Sequence, residues 1–187
     1  MDAKEASREE PLVRPRRFTV TLNPLALATG RYGANAELLL APHHAITASG
    51  FVQTFPRGIT KLAVPSIQGD GPPPALGGEL GYRFYTRREA PAGLFVGPSL
   101  VAMPLAYPQV GADLEPRLAP VMAYGAALDI GAQLVTASGF TVGGGLGVMA
   151  LSYTPPASVQ PPAGVSAPSY PEPHVLPRVL LVAGWTF

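Results

Sequence analysis

The sequence predicts an all-β chain, an eight-stranded antiparallel up-and-down transmembrane β-barrel, and three observations predict it. The segment HVLPRVLLVAGWTF at 174–187 alternates: Val175, Pro177, Val179, Leu181, Ala183 and Trp185 form one apolar row that ends at Phe187. Opposite them stand Arg178, Leu180, Val182, Gly184 and Thr186. Successive strand side chains point to opposite faces, so one face suits hydrocarbon while Arg178 turns inward. The same alternation recurs in segments of roughly ten residues, the length a tilted strand needs to cross a bilayer. Connections also alternate in length, short after strands two, four and six and long after strands three, five and seven, as in membrane barrels, with the short connection after strand one as the exception.

Composition narrows the class. The chain has 187 residues, which suits one domain, and 47% of them are apolar. Only 13% are charged and the net charge is +1, which argues against a nucleic-acid partner and against charge-driven disorder. Gly and Pro number 21 and 23; long helices tolerate neither. Cysteine is absent, which excludes a thiolate metal site, a cysteine nucleophile and disulfides. Residues 1–16 read as a flexible leader and 17–187 as the barrel domain. The start, MDAKEASREEP, is hydrophilic and lacks an apolar h-region, so no signal peptide is read and export is inferred from the body of the chain. The plainer alternative is a chain that stays in the cytoplasm.

Taken in order, strand one alternates Phe18, Val20 and Leu22 with Thr19, Thr21 and Asn23. Pro24 interrupts it, and Leu25 and Leu27 continue with opposite parity, as a bulge requires. A turn over 29–33 leads to strand two, where Ala36, Leu38 and Leu40 oppose Asn35 and Glu37. Pro42, His43 and His44 turn the chain into strand three, 45–55, with Thr47, Ser49 and Gln53 on one face. A long connection spans 56–75. Strand four, 76–86, sets Leu80, Tyr82 and Phe84 against Glu79, Gly81, Arg83 and Tyr85. Strand five, 93–103, has no face assigned by its pattern, and a second long connection spans 104–120. Strand six, 121–135, sends Tyr124, Ala126, Leu128 and Ile130 outward and Gly125, Ala127, Asp129, Gly131 and Gln133 inward. Strand seven alternates Phe140, Val142, Leu146 and Val148 with Thr141, Gly143, Gly145 and Gly147. A third long connection, 153–173, precedes strand eight. The window 131–151 is long enough for a membrane helix, but its six glycines and its period of two reject one.

Folded inward, this pattern gathers Asn23, Asn35, Glu37, Glu79, Arg83, Asp129, Gln133 and Arg178. Charges in a narrow lumen are costly unless paired, and Arg is suited to gripping carboxylates bidentately. A polar conduit or proton-linked site is one reading; an ion-pair plug is favoured, because an eight-stranded interior is only wide enough for side chains. Phe18, Tyr82, Phe84, Tyr124, Phe140 and Trp185 fall near strand ends on the outward face, the placement of an interfacial girdle, although aromatic residues favour strands in any case.

Chemistry-bearing motifs are sparse. His43 and His44 sit in a turn without a third ligand at metal spacing and read as solvated. His174 lacks a Ser or carboxylate at recognisable spacing, though a triad can be assembled from distant strands. Gly143, Gly144, Gly145 and Gly147 lack the Lys and the helix of a phosphate loop. Arg14, Arg16, Arg17, Arg87 and Arg88 fall together at the end of the short turns and read as solvated, with anionic headgroups the alternative. No cofactor, metal or catalytic residue is implied.

Several segments carry a resemblance: Asn23-Pro24-Leu25, Gly81-Tyr82-Arg83-Phe84-Tyr85, Phe95-Val96-Gly97-Pro98, Leu176-Pro177-Arg178 and Gly184-Trp185-Thr186-Phe187. In their order and spacing over 17–187 the chain resembles a family of small, functionally uncharacterised bacterial outer-membrane β-barrels related in architecture to OmpA and OmpX. The resemblance implies a closed antiparallel barrel in the bacterial outer membrane and carries no catalytic residues. Outer-membrane lipid is then the expected surrounding. Trp185 and Phe187 are the expected terminal-strand signal to the barrel-assembly machinery. The leading expectation is an integral outer-membrane protein with a structural or surface-interaction role, neither an open pore nor an enzyme, whose long extracellular loops meet a partner the residues do not name. The alternatives are a soluble lipocalin-like barrel binding a small apolar ligand, which needs the reverse alternation, and an outer-membrane lipid-modifying enzyme.

Overall fold

A computed structural model describes residues 16–55, 73–88, 91–110, 116–153 and 174–187. Eight strands close into one barrel in sequence order, each antiparallel to its neighbours. They are β1 (Phe18–Leu22), β2 (Arg31–Ala41), β3 (His44–Gln53), β4 (Ala75–Tyr85), β5 (Gly93–Val110), β6 (Pro116–Val135), β7 (Phe140–Tyr153) and β8 (His174–Thr186), with one short helix, α1 (Pro24–Ala28), after β1. From Leu22 the pairings run through Ala34, Gly50, Gly78, Ala102, Tyr124 and Ser152 toward the start of β8. Leu22 itself pairs with Ala183, near the other end of β8. Each circuit thus climbs most of a strand length, the stagger that a closed, tilted barrel requires.

The alternation read from the sequence decides which side chains face in. Thr19 and Thr21 are buried while Phe18, Val20 and Leu22 are exposed. The same holds on β6, where Ala127, Asp129 and Gln133 are buried and Tyr124, Leu128 and Ile130 are exposed. β5 joins the pattern, with Phe95 and Val101 inward and Leu94, Val96 and Leu100 outward. Through the eight-stranded wall, no outward position on any strand holds Asp, Glu, Lys or Arg. Within the wall, below the β5–β6 ribbon, the charged strand residues Arg31, Glu37, Glu79, Arg83, Asp129 and Arg178 all lie on the inward parity and are buried or half-buried.

Three expectations are corrected. Strand one does not continue past Pro24 as a bulge: α1 begins there, with Asn23 as its N-cap accepting from the Ala26 N–H at 2.9 Å. Pro suits a first helical turn because the N–H it lacks would have no partner, and Asn is a strong cap. The turn expected over 29–33 ends at Gly30, whose φ of 83° suits glycine, so Arg31 already belongs to β2. Residues 104–120 are not a long loop. β5 runs on to Val110 and β6 begins at Pro116, and the two remain paired from Gly93↔Gln133 to Val110↔Pro116. Past Ala102 and Ala123 this hairpin stands as a two-stranded ribbon beyond the barrel's other pairings.

Proline chemistry explains why that ribbon was hard to read. Pro98 has no N–H, and the β4–β5 ladder skips it between Gly81↔Ser99 and Phe84↔Val96, while the β5–β6 ladder passes it unbroken. Pro104 and Pro108 share its parity on β5, and Pro116 and Pro120 occupy the same class of pair on β6. The four ribbon prolines therefore turn their nitrogens to an edge with no strand partner among the described residues, and Pro104 is itself fully buried. Proline is tolerated in a strand on such an edge because no ladder hydrogen bond is lost there. The other two long connections fall mostly outside the described residues, at 56–72 and 154–173, as does the leader before Arg16.

Candidate functional site

The lumen holds the candidate site, and the register builds it in layers. At the end bearing the short turns, Thr19 on β1, Thr141 on β7 and Thr186 on β8 share a buried hydroxyl chain, with Thr186 Oγ1 2.9 Å from Thr19 Oγ1 and 2.6 Å from Thr141 Oγ1. This chain staples the strands on either side of the closing seam. Beside it Leu39, Ala45, Tyr85 and Phe95 form a small apolar cluster.

The next layer centres on Glu37. Arg83 Nη1 donates to Glu37 Oε2 at 2.7 Å, and the Tyr85 hydroxyl donates to Glu37 Oε1 at 2.5 Å. Arg83 lies over the Phe95 ring at 4.4 Å and also reaches Gln133 Oε1 at 3.4 Å. A buried carboxylate is tolerable when its oxygens are taken up in this way. Tyr85 was read as inward-facing, but its part in the network was not.

Above this, Arg178 grips Glu79 through both guanidinium Nη atoms at 3.1–3.2 Å. Its Nε lies 3.2 Å from Asp129 Oδ1, close enough for charge pairing but off the line of a hydrogen bond. Glu79 also draws Arg31 to 3.8 Å, and Arg31 lies over the Phe51 ring at 3.5 Å. Among the described residues the lumen therefore pairs three carboxylates with three guanidiniums. Arg31 is absent from the sequence-based set because Thr29-Gly30-Arg31-Tyr32-Gly33 reads as a turn.

Of the eight expected lumen residues, six meet in this network. Glu37, Arg83 and Gln133 form one group, and Glu79, Asp129 and Arg178 the other. Asn35 is half-buried near Thr21, with its Nδ2 3.5 Å from the Thr21 carbonyl and hydroxyl oxygens. Asn23 lies apart, its side chain engaged as the α1 cap at the edge of the lumen. Gly147 of β7 makes room for the network: a Cβ there would fall 2.0 Å from Asp129 Oδ1. Beside Arg31, Glu79 and Arg178 a cavity remains, with about 70 Å³ open to the centre of a water molecule. At about 10–15 Å³ each, that is room for about five waters, not for a through-channel.

The other candidates are engaged otherwise. His43 Nδ1 lies 2.8 Å from the Tyr85 carbonyl oxygen and its ring stacks on Phe84. His44 Nδ1 meets the Tyr82 hydroxyl. Arg16 donates to the carbonyls of Thr136 and Ala137, tying the β6–β7 turn. Trp185 packs edge-on against Phe140 on the outer surface, and both are exposed. Phe18 and Phe84 are exposed toward the same end, Tyr124 toward the other.

No protein-family model matches the chain, and no curated protein or solved structure matches it. The likeness to small outer-membrane barrels holds at the level of architecture: closed, antiparallel and eight-stranded.

Proposed function

We propose that the chain is an integral bacterial outer-membrane β-barrel with a structural or surface-interaction role, not an open pore and not an enzyme. One observation carries this reading: the wall is apolar outside and charged inside. Leu80, Leu100, Leu128, Ile130, Leu134 and Leu146 are each more than half exposed, while the strand charges turn inward. In water such a surface is an association hazard far larger than a monomer's ordinary apolar patches. In a bilayer it is the surface a barrel presents to lipid, and closure leaves little edge to satisfy. A soluble ligand-binding barrel needs the opposite arrangement.

The ion-paired layers support the exclusion of a pore, because side chains occupy the interior. They also leave the lumen's ionisable groups engaged with one another. With the short turns placed in the periplasm, the β5–β6 ribbon stands on the extracellular side as the displayed surface. The test is to express the chain behind an export signal, fractionate the cells, and compare boiled with unboiled samples on a mildly denaturing gel. The reading predicts recovery in the outer membrane with a heat-dependent mobility shift. A water-soluble protein with no shift overturns it.

A further inference from the structure

The wall is not continuous. β1 has five residues, and its pairing with β8 ends at Leu22↔Ala183. Beyond that point, among the described residues, β8 has β7 on one side only, and Arg31, Tyr32 and Gly33 of β2 pair with β3 alone. The Phe187 N–H donates toward β1, to the Phe18 carbonyl, and the Thr186 N–H the other way, to the Gly139 carbonyl. By the alternation of an antiparallel ladder, Val175, Val179 and Leu181 then turn both backbone polar groups to the gap, and Pro177 its carbonyl alone. α1 lies across the gap against β2 and β8, yet it buries no side chain, and no backbone hydrogen bond joins it to β8 among the described residues.

Unpaired backbone at bilayer depth is tolerated where it lines a polar cavity. The lumen cavity reaches this gap: Ala26 of α1 and Leu180 line it together with Arg31, Glu79, Arg178 and Ser99. Ser99 is 8% exposed, and its hydroxyl has no hydrogen-bond partner among the described residues. Asp129 Oδ1, also in the lining, is ion-paired with Arg178 but accepts no hydrogen bond among the described residues. Arg31 is the loosest of the charges, because the Glu79 it approaches at 3.8 Å is already held by Arg178.

We infer that the gap between β2 and β8, covered by α1, is a lateral site that takes the headgroup of a zwitterionic phospholipid into the lumen while its acyl chains stay in the bilayer. The phosphate meets Arg31 and the Ser99 hydroxyl, and the ammonium meets the carboxylates of Glu79 and Asp129. Charge balance selects the ligand class. Two guanidiniums already match two carboxylates there, so a net anion would bring an uncompensated charge into a narrow interior, whereas a zwitterion brings none. The inference rests on the membrane reading above.

The experiment uses the full chain refolded in lipid-free detergent, offered phosphatidylethanolamine or phosphatidylglycerol with identical acyl chains, and read by native mass spectrometry. One phosphatidylethanolamine per barrel is expected, retained about tenfold over phosphatidylglycerol. Ser99→Ala weakens retention several-fold, and Ala26→Phe, which fills the mouth, abolishes it; both variants keep the heat-dependent gel shift. Equal retention of the two lipids, retention unchanged in Ala26→Phe, or no retention overturns the site. A chain that never enters lipid overturns the membrane reading instead.

Discussion

Asp129 on β6 and Arg178 on β8 meet across Gly147, their common register partner on β7. The glycine is required by what lies beside it. A Cβ at position 147 would sit 2.0 Å from Asp129 Oδ1, 2.7 Å from the Leu128 carbonyl oxygen and 3.1 Å from Arg178 Cγ. Gly147→Ala is therefore expected to destabilise the refolded barrel by about 1–3 kcal/mol, as overpacking does. Urea unfolding midpoints measure it. Adding Asp129→Ala to that variant removes the nearest side-chain clash, so the double variant is expected to lose less than the two single losses combined.

The two guanidiniums on Glu79 should differ sharply in worth. Removing Arg178 leaves side chains 12% and 9% exposed, Glu79 without its bidentate partner and Asp129 without its ion-pair partner. Arg178→Met is expected to cost about 3–5 kcal/mol, the penalty of an orphaned buried charge. Arg31→Met removes a contact at 3.8 Å from a side chain 24% exposed and is expected to cost about 1 kcal/mol or less. Equal losses in the same unfolding assay would contradict the layered network.

Leu128 is half exposed and sits midway along the wall portion of β6. Leu128→Arg is expected to cost about 2–4 kcal/mol in lipid vesicles, the penalty for arginine at the midplane. Equilibrium folding into vesicles measures it. In a water-soluble barrel the same exposed substitution would change stability little.

The barrel and its inside-out parity were legible because Glu37, Glu79, Arg83, Asp129 and Arg178 each fall on one phase of an otherwise apolar alternation. Their pairing was not legible, since register between distant strands is set by closure and not by local pattern. The helix α1 escaped because Leu25 and Leu27 also fit a strand of switched parity. Asn23 before Pro24 was nonetheless an available helix-start signal. The ribbon escaped for a different reason: Pro104, Pro108, Pro116 and Pro120 disfavour a central strand, and here they fall where no second strand pairs among the described residues. Arg31 was lost with the turn to which it was assigned.

The chain contains no cysteine, so a single introduced thiol can carry a nitroxide probe at a chosen position. With the probe at Leu128, Ile130 or Leu146 in lipid vesicles, the account predicts high accessibility to oxygen and exclusion of a water-soluble nickel chelate. Ready access of the chelate to all three would mean that this face meets water, and would contradict the central claim.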